Sequence, residues 1–401
     1  MSRRTRDISE TDLRGVKHFK NLSRLLKQLH QVGCARDRAG NRRLYMDHYV
    51  TLLLLHLFNP ICDSLRAIQR ISRLDKVQKK LGVPRCSLGS LSEAARVFDS
   101  HALQEIVTTL ARETPPVARS AKVPELQEIL TIVDGTVLKA LPKVVEQLWA
   151  PGSDEGFKAH VHYEVLKGSP VAATITGACT SEVAVLTEQL ERGRFYLLDR
   201  GYAKYQLMQD IINAHSSFLA RIKSHFHIET LEVRPLDEAA RTAGVLRDEL
   251  VRLGRHTRYR KLEQPVRLLE VVCTERSAKS VRRMRDKQSK ETTMLLVTDR
   301  LDLSADVIAA LYRFRWEIEI FFRWFKHILG CRHLISRCQN GIELQVYAAL
   351  IVCLLIARYT GLKPNKALYE MVCWYLSGWA SEQELMEHIA TAQRRQAASS
   401  R

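Results

Sequence analysis

The chain has 401 residues, 46% of them hydrophobic and 26% charged, with 62 Lys/Arg against 44 Asp/Glu for a net charge of +18. That length and apolar content bound it to two or three domains with sizeable cores and exclude a disordered chain. The positive excess favours a polyanionic partner such as DNA or RNA.

The first residues, Met1-Ser-Arg-Arg-Thr-Arg-Asp-Ile, lack an apolar h-region, so no secretory leader is expected. The longest apolar runs, Val346–Ala357 and Val50–Phe58, are shorter than a bilayer requires, and no membrane partner is expected. The nine cysteines are odd in number and form no C-x-x-C pair. This fits a reduced, cytoplasmic compartment and not a disulfide scaffold.

Residues 1–50 carry twelve Lys/Arg against five Asp/Glu. Apolar residues recur at helical spacing in Leu13–Leu29. Tyr49–Phe58, the run after Ser64 and the run after Ser90 follow the same period. The first 120 residues therefore read as a helical DNA-binding domain, with Thr114-Pro-Pro-Val-Ala-Arg-Ser-Ala-Lys-Val-Pro as the linker after it.

The pattern then changes. Glu128–Leu138 is rich in β-branched residues and predicts a strand. Val161–Leu166 and Val171–Thr176 predict a hairpin across Lys167-Gly-Ser-Pro. Phe195–Asp199 predicts a short buried strand, Ala203–Ala214 a helix, and Ser217–Lys223 another strand. Three strands followed by strand, helix and strand is the order of a mixed ribonuclease-H-like sheet. Residues 224–290 are polar and basic, with strand signals at Arg267–Cys273 and, just beyond, Met294–Thr298, and so predict a β-rich insertion. The fold class expected is thus α/β, spanning residues 121–343, with a helical C-terminal region at 344–401.

One stretch carries most of the chemistry. Tyr312, Arg315, Glu319 and Lys326 form the pattern Y-x2-R-x3-E-x6-K. At about 100° per residue on a single long helix capped by Ser304, these four and Arg323 share one face. Leu311, Phe314, Ile318, Phe321 and Phe325 form a separate apolar face. A carboxylate among cations can take a hard divalent ion, and the cations can hold phosphate. On a helix taken alone, such charges read as a solvated surface. Two aspartates at predicted strand ends change the weighing: Asp134 before Gly135, and Asp199 before Arg200-Gly201-Tyr202. Singly, the first reads as a turn residue and the second as a helix cap. With Glu319 they make three carboxylates, the set that two Mg2+ ions (with Mn2+ as a substitute) need for in-line displacement at phosphorus.

Four segments together resemble insertion-sequence transposases of the DDE type, in the group marked by this signature (insertion sequence family number four). They are Ile132-Val-Asp-Gly-Thr, Leu198-Asp-Arg-Gly-Tyr, Phe218-Leu-Ala-Arg-Ile-Lys and Tyr312…Lys326. The pieces at Phe58-Asn-Pro…Ser64-Leu-Arg and Arg337–Ile351 extend the resemblance over roughly residues 50–360. It implies a catalytic domain split by an insertion between the second Asp and the Glu, with Asp134, Asp199 and Glu319 as catalytic metal ligands. It implies that Tyr312, Arg315 and Lys326 grip a DNA terminus through its phosphates, with Arg200 and Arg323 as further contacts. The partners it implies are double-stranded DNA, as terminal inverted repeats and target, and a second copy of the chain in a synaptic homodimer. The nucleophiles it implies are water and then a DNA 3′-hydroxyl, not Tyr312. Some relatives stack a flipped base on a tryptophan of the insertion. Here no tryptophan lies between 224 and 290, and Phe226 or Tyr259 would have to serve.

Smaller signals have two readings each. His327, Cys331, His333 and Cys338 lie close together but fit no standard zinc spacing. Lys158, His160 and His162 are either packed or DNA contacts. The basic run Arg252–Arg260 is either a solvated face or a phosphate contact. Glu343–Gly378 is the candidate dimer interface. A plain nuclease and a non-catalytic DNA-binding protein are the rival functions.

Overall fold

Short helices begin the described chain, several of them started by a side-chain cap. The computed structural model describes residues 24–30, 43–59, 61–117, 126–138, 156–254, 262–272, 293–328, 335–336 and 338–399. Helix α1 (Met46–Phe58) is followed by α2 (Leu65–Ile71), α3 (Asp75–Leu81), α4 (Leu88–Val97) and α5 (Ser100–Glu113). Ser64, Ser87 and Asp99 each accept a backbone N–H of the first turn that follows, at α2, α4 and α5. In α5, Leu103, Ile106, Val107, Leu110 and Ala111 are buried, the i, i+3, i+4 stripe of a helix with one apolar face.

That stripe packs on α11 (Gln339–Thr360) from the far end of the chain. By length and composition α11 could cross a membrane, but 89% of its apolar window is buried in the protein. It is hydrophobic all round because it is the central core helix. Asn340 at its start donates to the carbonyls of Ala95 (2.8 Å) and Phe98 (2.6 Å). Ser100 Oγ donates to Glu343 at 2.6 Å. N-terminal and C-terminal helices thus share one core with one face of the sheet.

Gly341 lies at the tightest point of this junction. A Cβ there would sit 2.0 Å from Ser336 Oγ and 2.9 Å from Ala95 Cβ. Gly341→Ala is therefore expected to destabilise the protein by about 1–3 kcal/mol, as overpacking does, read as a lower urea midpoint.

Nine strands form one sheet in the order β3-β2-β1-β4-β5-β9-β8-β7-β6. β1 (Ile129–Leu138), β2 (Phe157–Glu164) and β3 (Ser169–Gly177) are antiparallel neighbours. β4 (Arg194–Leu198) and β5 (Ser217–Ile222) add in parallel. Helix α6 (Glu182–Glu188) lies between β3 and β4 in the chain, and α7 (Tyr205–Asn213) between β4 and β5. In β4, Phe195 and Leu197 join the large core while Tyr196 and Leu198 join a second core with α7. A strand buried on both faces needs the unbroken apolar run that β4 carries.

The segment between β5 and β9 (Thr293–Thr298) holds β6 (Ile228–Val233), α8 (Glu238–Thr242), β7 (Val245–Leu253) and β8 (Val266–Val272). These strands continue the main sheet, since β9 pairs antiparallel with both β5 and β8. β6 and β7 were not among the predicted strands. β6 is an exposed edge strand carrying Glu229 and Glu232, and β7 spells Val-Leu-Arg-Asp-Glu-Leu-Val-Arg-Leu. The charge in β7 is resolved only by tertiary pairing: Asp248 is buried against Arg267 of β8 through two contacts of 2.8 and 2.5 Å.

The long helix expected over the Tyr312–Lys326 pattern is two helices, α9 (Ala305–Arg313) and α10 (Trp316–Ile328). The break at Phe314–Arg315 is closed by short i→i+3 bonds, Arg315 N–H to Tyr312 O at 3.1 Å and Glu317 N–H to Phe314 O at 2.8 Å. No Pro or Gly marks it in the sequence. Ser304 precedes α9 without a side-chain cap bond. The apolar face is as expected, with Leu311, Ile318, Phe321 and Phe325 buried.

Candidate active site

Adjacent parallel strands deliver the two aspartates. β1 and β4 pair as far as Ile132 with Leu197. Each chain then carries its aspartate just past that last pair. Asp134 stays within β1, opposite Val161, so it is not a turn residue. Asp199 leads a 3₁₀ turn, Arg200–Tyr202, and its side chain caps nothing. Glu319 enters from the first turn of α10.

Arg315, in the break between α9 and α10, lies among all three. Its guanidinium is 3.6 Å from Asp134 and 3.7 Å from Asp199, and it hydrogen-bonds Glu319. Tyr312 is buried beside this group, its hydroxyl without a hydrogen-bond partner among the described residues. Burial, then the charge of Asp199, pushes its phenol well above the ordinary tyrosine range. A phenol so held is a poor nucleophile. Arg200 and Arg221 are close enough to lower that phenol in part, and Arg323 acts in the same sense on Glu319. Lys326 lies two turns beyond Glu319 on α10, half-exposed, about 10 Å along the helix axis.

A fourth acid, Glu182 at the start of α6, was not foreseen. A Cβ on Gly135 would sit 2.7 Å from its Oε1, so glycine after Asp134 leaves room for it. Lys158 pairs with Glu182 at 3.2 Å. Nothing in the Thr180-Ser-Glu-Val stretch announces this, because Glu182 meets Asp134 only through the packing of α6 on the sheet. His160 and His162 are buried, and His160 bonds Thr176 at 2.8 Å. Burial lowers the pKa of both, that of His162 to about 4. Phe226 packs on Tyr205, with ring centroids 4.9 Å apart. Arg252 pairs with Glu229 at 3.1 Å. Cys338 faces the Ala95 carbonyl at 3.3 Å, and His327 is exposed. Tyr259, Cys331, His333 and Arg255–Arg260 lie outside the described residues.

Burial raises Asp134 to about 7, outweighing Arg315 and the Gly135 N–H, which pull the other way. Glu319 is raised for the same first reason. Three oxygen donors, two of them held above the usual carboxylate range for want of solvation, suit a hard divalent cation. The Arg315 guanidinium in their midst shows that the cluster attracts positive charge. In metal-free protein, folded Asp134 keeps its proton between about pH 4 and 7 while the unfolded chain has lost it. The folded state binds more protons in that window, so stability should fall as pH rises through it, by up to about 4 kcal/mol. Urea titrations in EDTA should show this slope and show it flattened in Asp134→Asn.

The transposase DDE domain family model matches residues 125–355, more than half of the chain. The chain belongs to that family. A putative transposase of Sinorhizobium fredii is 30% identical over 234 residues, covering 58% of this chain and 61% of that protein. The probable transposase of an insertion sequence element from Geobacillus stearothermophilus is 26% identical over 283 residues, 69% of this chain and 68% of that one. A piggyBac transposase in a synaptic complex with hairpin DNA aligns over 96% of this chain and 79% of its own, at 9% identity and a TM-score of 0.40. That likeness is too distant to bear on function.

Proposed function

We propose that the chain is a DNA transposase that binds the terminal repeats of an insertion sequence and catalyses strand cleavage and strand transfer. The observation that carries this is the convergence of Asp134, Asp199 and Glu319 on Arg315 from three distant segments. The strand order β3-β2-β1-β4-β5 supports a ribonuclease-H-like catalytic unit, which the remaining strands extend. Asp134, Asp199 and Glu319 would hold two Mg2+ ions. Bound metal supplies activation of the attacking oxygen and stabilisation of the leaving one.

The chain's own residues do the rest. Arg315 already lies at the carboxylates and can pass to a DNA phosphate when a divalent ion replaces it. Arg200, Arg323 and Lys326 extend a cationic track from that point for the backbone of the DNA end. Tyr312 packs the base of the site and keeps its proton. The domain division at about residues 120 and 343, and action as a homodimer on double-stranded DNA in the cytoplasm, belong to the same proposal. Of the expected interface, residues 343–360 are mostly core. The outward part is α12 (Lys366–Leu376), where Trp374 is 52% exposed; Trp379, just past the expected interface, is 83% exposed.

The test is cleavage of linear DNA carrying the element's flanking repeats, with Mg2+ and with EDTA. Repeat-specific nicks that need metal support the proposal. Metal-dependent cutting with no repeat preference identifies a nuclease, and binding without cutting identifies a non-catalytic DNA-binding protein. Lys326→Ala should lower the slope of log affinity against log salt by about 0.9, the loss of one phosphate contact. An unchanged slope would remove Lys326 from the track.

A further inference from the structure

Away from the carboxylates, the described residues contain one group of three metal-ligating side chains. His30, Asp47 and His48 offer ligand atoms that all lie within 4.8 Å of one another. His30 Nδ1 is 3.0 Å from Asp47 Oδ2, and His48 Nε2 is 3.7 Å from the same oxygen. A tetrahedral zinc with bonds of about 2.0–2.1 Å separates neighbouring ligand atoms by about 3.3 Å. The two observed separations straddle that value.

The surroundings fit the same reading. Asp47 and His48 are buried, and Asp47 Oδ1 has no hydrogen-bond partner among the described residues. A buried carboxylate with an orphaned oxygen is costly in an apolar core unless a cation meets it. The Tyr45 ring lies 4.7 Å from that of His30 and 5.8 Å from that of His48, which limits how far either can turn. His30 is the more open member, its side chain 29% exposed, so a water can complete the shell from that side.

We infer that His30 Nδ1, the Asp47 carboxylate and His48 Nε2 form a zinc site in the N-terminal helical region, distinct from the catalytic carboxylates. Nitrogen and oxygen donors in this ratio select zinc over magnesium. The ion would tie the helical segment at residues 24–30 to the start of α1.

The test uses the full, untagged chain in a Glu319→Gln background, so that the carboxylate cluster is already weakened. Protein is equilibrated with Zn2+, desalted and assayed by elemental analysis. The same sample loaded with Co2+ is read by its visible d–d absorption. One zinc per chain, tetrahedral cobalt bands and a melting temperature raised by Zn2+ are expected. His30→Asn, at the open position, should still fold but hold zinc at least about 100-fold more weakly and lose the bands. Zinc content or cobalt spectra unchanged in His30→Asn would overturn the site, as would absence of bound zinc from the parent. Either result would leave the transposase reading untouched, since that rests on other residues.

Discussion

Glu319→Gln, Asp134→Asn or Asp199→Asn should each lower Mg2+-dependent strand cleavage by about 1,000-fold or more, while binding to the repeats changes less than about threefold. The size follows from the chemistry. Displacement at phosphorus needs several kcal/mol of charge stabilisation from metal, and about 4 kcal/mol is three orders of magnitude in rate. Each substitution keeps the side-chain shape and removes the charge that holds the ion. Binding should survive because the proposed phosphate contacts come from Arg200, Arg315, Arg323 and Lys326, whose charges these changes leave in place. The measurement is single-turnover cleavage beside a gel-shift titration. A variant with normal cleavage in Mg2+ would show that its carboxylate holds no catalytic ion.

Arg315→Gln should act in two opposite directions. Without metal, Asp134, Asp199 and Glu319 lose their shared counter-charge, and the protein should lose about 1–3 kcal/mol of stability. The lower part of that range is expected because the Glu319 and Asp199 side chains are 31% and 39% exposed. With Mg2+ the loss should be largely repaid, so the metal-induced rise in melting temperature should be greater than in the parent. DNA cleavage should nevertheless fall, since the variant cannot hold the terminal phosphate. Thermal melts with and without Mg2+ give the first pair of values and cleavage gives the third. Equal metal-induced shifts in variant and parent would mean that Arg315 and the ion do not compete for one place.

Much of this site was legible in the chain. The strands carrying Asp134 and Asp199 are short runs of β-branched and apolar residues, and local burial preference alone marks them. The apolar stripe Leu311, Ile318, Phe321 and Phe325 was readable because helical period survives the break at residue 314. The break itself was not, since Phe-Arg is an ordinary helical dipeptide and no Pro or Gly marks it. Glu182 was missed for a related reason: one glutamate at a helix start has no distinguishing neighbours. β6 and β7 were missed because their charges are answered across strands, Asp248 by Arg267 and Glu229 by Arg252.

The amino-acid order by itself determined the alternation of strand and helix, the basic character, and which three carboxylates were candidates. Those properties depend on residues near one another in the chain, through period, propensity and charge. Only the tertiary structure decided that Arg315 lies among those carboxylates, that the segment after β5 lengthens the main sheet, and that helices from both ends of the chain close one core. Each of these depends on contacts between residues tens to hundreds of positions apart, and local pattern carries no record of them.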